Sequence, residues 1–190
     1  MTSTTHVMPT HLSRERLGLL LGFVGMAIFG GTLPATRLAV SAIDPVALTA
    51  LRNAIAGICS LALLLALRRR PPPRQLWPQL VIAMLGVSAL FPLLMAYGMQ
   101  TVDASHGGVV LGVLPIATAL VAVATTHERP RPLFWIASLA GAALVIAFAL
   151  REGGGAMSGG DLVLLAAVAA AAIGYTFSSK LTAHMPGWEV

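Results

Sequence analysis

Residues Val102 to Pro132 read V-D-A-S-H-G-G-V-V-L-G-V-L-P-I-A-T-A-L-V-A-V-A-T-T-H-E-R-P-R-P, and their reading decides the fold. Between Asp103 and His127 the run is apolar and long enough for one bilayer crossing, which takes roughly 20 residues as a helix. Asp103 is the expected N-cap, its side chain placed to accept from the first free N–H groups. Gly108 and Gly112 form a G-x-x-x-G step through which another helix can approach closely. Pro115 frees a backbone carbonyl in mid-membrane, which is tolerated only where neighbouring protein or cavity water satisfies it. The run stops abruptly at His127-Glu128-Arg129-Pro130. A small-residue, proline-broken helix of this kind suits the lining of a pathway better than a simple anchor.

The rest of the chain agrees. Apolar residues make up 57% of the 190 positions and charged residues only 10%, proportions outside those of soluble domains. The expected class is an all-α polytopic membrane protein. The net charge of +5 would suggest nucleic acid in a soluble chain; here nucleic acid is excluded as a partner, because the bilayer takes its place. Cys59 is the single cysteine, so neither an intrachain disulfide nor a cysteine metal cluster can form. It is expected as inert packing, and no metal or cofactor is expected.

Six apolar segments stand out: Leu17 to Leu38, Val46 to Leu67, Leu76 to Gln100, Ala104 to Thr126, Leu133 to Leu150 and Leu162 to Leu181. Each is about one crossing long. Pro45 and Pro132 sit where a helix begins and a missing N–H costs nothing. Asp161 is expected to cap the sixth segment. Arg68-Arg69-Arg70-Pro71-Pro72-Pro73-Arg74 cannot be helical and reads as a stiff basic turn. Glu152 to Gly160 is a glycine-rich loop without the Lys-Ser/Thr of a phosphate-binding loop.

Orientation follows from the basic residues. With the N-terminus in the cytoplasm, the inside receives Arg14, Arg16, Arg68, Arg69, Arg70, Arg74, Arg129, Arg131 and Lys180. The outside receives Arg37 and Arg151, together with Asp44, Asp103, Glu152 and Asp161. By the positive-inside rule the N-terminus is cytoplasmic.

Arg52 is the most informative single residue. It lies seven positions past Pro45, so at 1.5 Å per residue it is about 10 Å deep along its helix. A charge there faces a cavity or a partner. It serves either as the counter-charge of an anionic solute or as a structural arginine satisfying carbonyls or Asp103. Arg37 lies nearer the interface, where snorkelling is the simple alternative. His106, a lone histidine in a first turn, is read as packing. No Asp or Glu lies well inside any segment, which leaves no acidic proton relay of the usual kind.

An internal repeat is also visible. Gly31-Thr-Leu-Pro-Ala-Thr-Arg37-Leu38 matches Gly174-Tyr-Thr-Phe-Ser-Ser-Lys180-Leu181: glycine, five residues, a cation, leucine. With five segments per unit the second copy enters the membrane upside down, as in inverted-repeat carriers. Phe29 and Tyr175 then sit on equivalent, cavity-lining helices. The expected organisation is a tail at 1–16, a first five-helix repeat at 17–151, a loop at 152–160, and the first helix of a second repeat at 161–190.

The chain resembles the EamA-type branch of the drug/metabolite transporter superfamily over essentially everything after Leu17. The shared features are Tyr97 before a small-residue helix, the run from Ala104 to Pro115, the Glu128-Arg129 turn, and Gly141 in the next helix. Phe29-Gly30 with Arg37, and Asp44-Pro45 with Arg52, extend the match. Arg37 is a mild departure, since lysine is commoner there. The resemblance implies about ten helices, of which this chain supplies six, and export of small organic solutes across a bacterial inner membrane. It makes Tyr97 a pore aromatic, so the expected substrate pathway is Phe29, Arg37, Arg52, Tyr97, Pro115 and Tyr175. The expected partners are the bilayer, a small-molecule solute, and a second chain if one supplies further helices. On this reading the chain does not transport alone.

Two other readings compete. One is a membrane protein that does not itself transport, or a partner subunit. The other is an intramembrane serine hydrolase using Ser88 or Ser105 with His106, disfavoured because Ser105 and His106 point about 100° apart on a helix and Ser88 lacks the following glycine of a nucleophile elbow. The topology is checked with Cys59 replaced and single cysteines placed at Arg74 and Gly154. They should label from opposite sides of intact cells, and labelling of both from outside would reverse the assignment.

Overall fold

The computed structural model describes residues 11–126, 130–152 and 158–190. Nine α-helices appear among them and no strand: α1 (His11–Gly30), α2 (Thr32–Ala39), α3 (Pro45–Ala66), α4 (Trp77–Ala83), α5 (Phe91–Gly98), α6 (Ala104–Leu111), α7 (Leu114–Thr126), α8 (Pro132–Glu152) and α9 (Gly159–Leu181). A π-helical stretch, Met84–Leu90, joins α4 to α5 without a break. Five spans are long and apolar enough to cross a membrane: Arg16–Ala39, Pro45–Ala66, Arg74–Gly98, Ala104–Thr125 and Gly159–Leu181. With α8 as a further apolar helix of 21 residues, the chain is an all-α polytopic membrane protein.

Proline and glycine divide the spans more sharply than their hydropathy reveals. The first span breaks at Gly31, ahead of Pro34, and the fourth at Gly112-Val113, ahead of Pro115. The third stays helical but widens into the π turn before Pro92. Asp44 caps α3 as its position next to Pro45 requires, accepting from the N–H of Val46 (2.9 Å) and Ala47 (3.1 Å). Two expected caps are corrected. Asp103 makes no capping hydrogen bond; its carboxylate turns toward Arg37, 3.6 Å away. In α9 the N-cap is Ser158, and Asp161 is the N3 member of a capping box, its Oδ2 accepting from the Ser158 N–H at 2.7 Å. Asp161 is drawn inward because Oδ1 also stands 2.9 Å from His106 Nε2. His106 is therefore an electrostatic partner of α9 rather than plain packing. The Glu128-Arg129 turn and most of the 152–160 loop lie outside the described residues.

The centre of the molecule is α9, which packs against α4, the π segment, α5, α6 and α7. Its buried face is almost all small: Gly160, Leu164, Ala167, Ala171 and Gly174, a spacing of three and four that keeps one stripe on one side of a helix. Met95, Met99 and Leu164 fill the space between α9 and α5 and are essentially inaccessible. A Cβ on Gly174 would lie 2.7 Å from Val87 Cγ2 and 2.8 Å from its backbone nitrogen, and one on Gly86 would lie 2.6 Å from the carbonyl oxygen of Ala170. Backbone touches backbone at this crossing. The G-x-x-x-G expectation is corrected accordingly: Gly108 has only Leu33 Cδ1 at 3.6 Å, whereas Gly107 lies tight against Met99. Cys59, expected in packing, is exposed on α3.

Contacts also sort the helix ends. Arg37 with Met99 and Asp103, and His106 with Asp161, bring the end of α2 and the starts of α6 and α9 to one end of the bundle. Lys180 donates to the carbonyl of Thr125 at 3.1 Å, and Arg69 faces Glu189 at 3.2 Å, which brings the ends of α3, α7 and α9 to the other. By contrast α1 has no extensive contact beyond α2 among the described residues and is exposed along its length from Arg16.

Gly174→Ala should destabilise the fold by about 1–3 kcal/mol through overpacking, outweighing the gain of up to ~1 kcal/mol in helix propensity. Gly141→Ala, whose Cβ meets nothing within 4 Å, should leave stability unchanged or raise it. Thermal unfolding of the two variants in detergent checks the contrast.

Candidate solute cavity

A cavity of about 380 Å³ lies between α2, α3 and α5, at the end of the bundle shared with Asp103 and Asp161. Thr32, Ala35, Thr36 and Ala39 form its α2 wall, at i, i+3, i+4 and i+7, so they lie on one helical face. Leu48, Thr49 and Arg52 come from α3, and Pro92 and Ala96 from α5. The wall holds one cation and no carboxylate.

The polar groups are poised for an occupant. Ser and Thr hydroxyls within membrane helices commonly bond back to the preceding turn, as Thr118 does to Leu114 (2.8 Å) and Thr176 to Ala172 (2.8 Å). Thr36 and Thr49 are buried, yet their hydroxyls make no hydrogen bond among the described residues. Arg52 likewise has no hydrogen-bond or ion-pair partner among them. Arg52 does not bond Asp103, as its structural reading supposed. Arg37 does that.

The Pro92 wall depends on a residue the sequence did not single out. In a regular α-helix the carbonyl of Ser88 would accept from residue 92, but proline has no N–H. Asn53 Nδ2 of α3 donates to that oxygen instead, at 2.6 Å. The freed carbonyl that a membrane cannot leave unpaired thus pins α3 to the π segment, one residue from Arg52.

Of the six residues expected on the pathway, the structure brings Arg52 to the cavity, while Tyr175 packs against the core around α9 and is not in the wall. Arg37 hydrogen-bonds the carbonyl of Met99 and faces Asp103, so it ties a corner together and is absent from the wall. Phe29 ends the exposed α1, Tyr97 is 41% exposed beside Ala96, and Pro115 is exposed at the break of the fourth span; none lines the cavity. Thr32 and Thr36 carried a signal in the small-residue stripe from Thr32 to Ala39. Asn53 carried one as a carboxamide beside Arg52 in a largely apolar helix.

Asn53→Leu should cost about 1–3 kcal/mol, because the Ser88 carbonyl then lies inside a membrane span without its side-chain donor. Pro92→Ala supplies an N–H in its place, so the double variant should lose less than the sum of the singles, as read from a double-mutant cycle of unfolding midpoints.

The pattern described as the EamA-like transporter family matches residues 16–150. "Uncharacterized transporter YdeK" of Bacillus subtilis (strain 168) is 45% identical over 179 residues, covering 94% of this chain and 62% of that protein. The chain thus spans less than two thirds of the length of the curated relative it matches. No solved structure matches.

Proposed function

Since the chain belongs to the EamA-like transporter family, we propose that it binds a small organic solute in the cavity beside Arg52 and moves it outward across a bacterial inner membrane. The observation that carries the reading is Arg52 itself: a cation inside a membrane span, lining a 380 Å³ cavity with no acidic residue in its wall. An uncompensated charge at such depth costs several kcal/mol, and an anionic group of the solute would offset that cost. The hydroxyls of Thr36 and Thr49 supply hydrogen bonds beside it, and Ala35, Ala39 and Pro92 suit an apolar body.

The proposed architecture is two inverted five-helix repeats, with 17–151 as the first and α9 opening the second. Two features support it. Arg37 and Lys180, the matched cations of the repeat, each donate to the carbonyl at the C-terminal end of a neighbouring span, Met99 and Thr125. And α1, the counterpart of α9, has an exposed apolar surface with no extensive contact beyond α2 among the described residues. The spans that would enclose α1 and close the cavity belong to a second repeat, in the same polypeptide or in a second chain. The charge sorting at the two ends fits a cytoplasmic N-terminus.

The test reconstitutes the whole gene product carrying these residues in proteoliposomes, with carboxylate, amino-acid and amine solutes offered in turn. Arg52→Gln should lower transport of the accepted anion roughly tenfold or more, the worth of a hydrogen bond to a charged group, with insertion intact. Undiminished transport in that variant would remove Arg52, and with it this cavity, from the pathway.

A further inference from the structure

The end of the bundle opposite the solute cavity holds a second cavity, of about 360 Å³. Its composition is two-sided. Leu61, Leu64 and Leu65 of α3 and Leu80 of α4 make an apolar floor, and Arg69 and Arg70 stand at its rim. Leu61 and Leu65 are among the exposed leucines of α3, so the floor opens toward lipid.

The way α3 ends builds this arrangement. The N–H of Arg68 bonds the carbonyl of Leu65 (3.0 Å) and that of Arg69 bonds Leu64 (2.9 Å), the paired closure of a Schellman motif. Arg68 takes the left-handed position, φ 49°, usually filled by glycine. The reversal brings two arginines to the same cavity as the leucines of the last turns, and Pro71 and Pro72 stiffen the exit. Arg69 is braced: its Nε lies 3.2 Å from Glu189 Oε1 and its guanidinium 5.2 Å from the centre of the Trp188 ring. Arg70 has no hydrogen bond or ion pair among the described residues. The loop carries four arginines, and Glu189 is the only carboxylate lining the cavity.

We infer that this cavity holds one anionic glycerophospholipid of the adjoining leaflet, its phosphodiester on Arg69 and Arg70 and its acyl chains on the leucine floor. Guanidinium forks match a phosphate's oxygens two at a time, and basic clusters at the membrane edge recognise anionic headgroups. Inorganic phosphate shares the charge but leaves the leucine floor exposed. A zwitterionic lipid covers the leucines but brings a cation of its own to the rim. The site lies away from the solute cavity and does not depend on the transport reading.

The test is native mass spectrometry of the full chain released from nanodiscs of equal phosphatidylglycerol and phosphatidylcholine, counting lipid retained. The wild type should keep one phosphatidylglycerol in preference to phosphatidylcholine. Arg70→Gln should lower that retention about fivefold, the factor associated with one interfacial arginine. Arg131→Gln, which removes equal charge elsewhere on the same face, should not. Glu189→Gln should raise retention, because it removes the anion competing for Arg69; a gain cannot be produced by misfolding. Equal losses in Arg70→Gln and Arg131→Gln, no preference between the lipids, or displacement of the lipid by millimolar inorganic phosphate would each overturn the assignment.

Discussion

The contact on which the other contacts depend is the crossing of Gly86 and Gly174. Between helices in a bilayer there is little hydrophobic gain to be had, since lipid tails are as apolar as leucine; close van der Waals packing has to supply the attraction. Two glycines facing each other let the π segment and α9 meet backbone to backbone. Once α9 is seated at that depth, Leu164 reaches Met95 and Met99 of α5, Thr176 comes within 3.5 Å of the Thr118 carbonyl, and Asp161 meets His106. The central helix is held along its whole length because one point on it has no side chain.

A second constraint runs through the spans: every backbone carbonyl inside lipid needs a donor. Three prolines remove donors, and the chain answers them in two ways. At Pro34 and Pro115 the helix ends and restarts, at Gly31 and at Gly112-Val113. At Pro92 it does not break; the turn widens and Asn53 reaches across from α3. That reach positions Arg52 as well, since the two residues are adjacent on one helix. A polar bond that looks like repair of the backbone therefore also fixes the angle from which the cation faces the cavity.

Much of this was legible in the sequence. The apolar runs, the helix start at Pro45 and the intramembrane Arg52 follow from length, spacing and the cost of burying charge, which are properties of one helix. What stayed hidden belongs to pairs of helices. Gly107 and Gly108 are indistinguishable in the sequence, and only the position of Met99 decides which one is crowded. Asp103 was the better isolated cap, until Arg37 arrived from another helix to claim it. Helices apolar on every side give no stripe from which to infer a partner, so nothing in Leu162 to Leu181 announced that this segment sits in the middle. The threonines of α2 and α3 became a cavity wall only when the two helices were placed side by side.

The central position of α9 bears on the order in which the molecule can be made. Helices enter the bilayer in sequence as the ribosome delivers them, and α9 is delivered after every span it joins. Until then Gly86, Gly98 and Gly107 present bare backbone along an open groove, and α4 to α7 have no common helix to pack on. Before α9 arrives the earlier spans have only their contacts with one another, α3 with α5, α2 with α6 and α6 with α8. Docking of α9 then joins α4, α5, α6 and α7 through one small-faced helix.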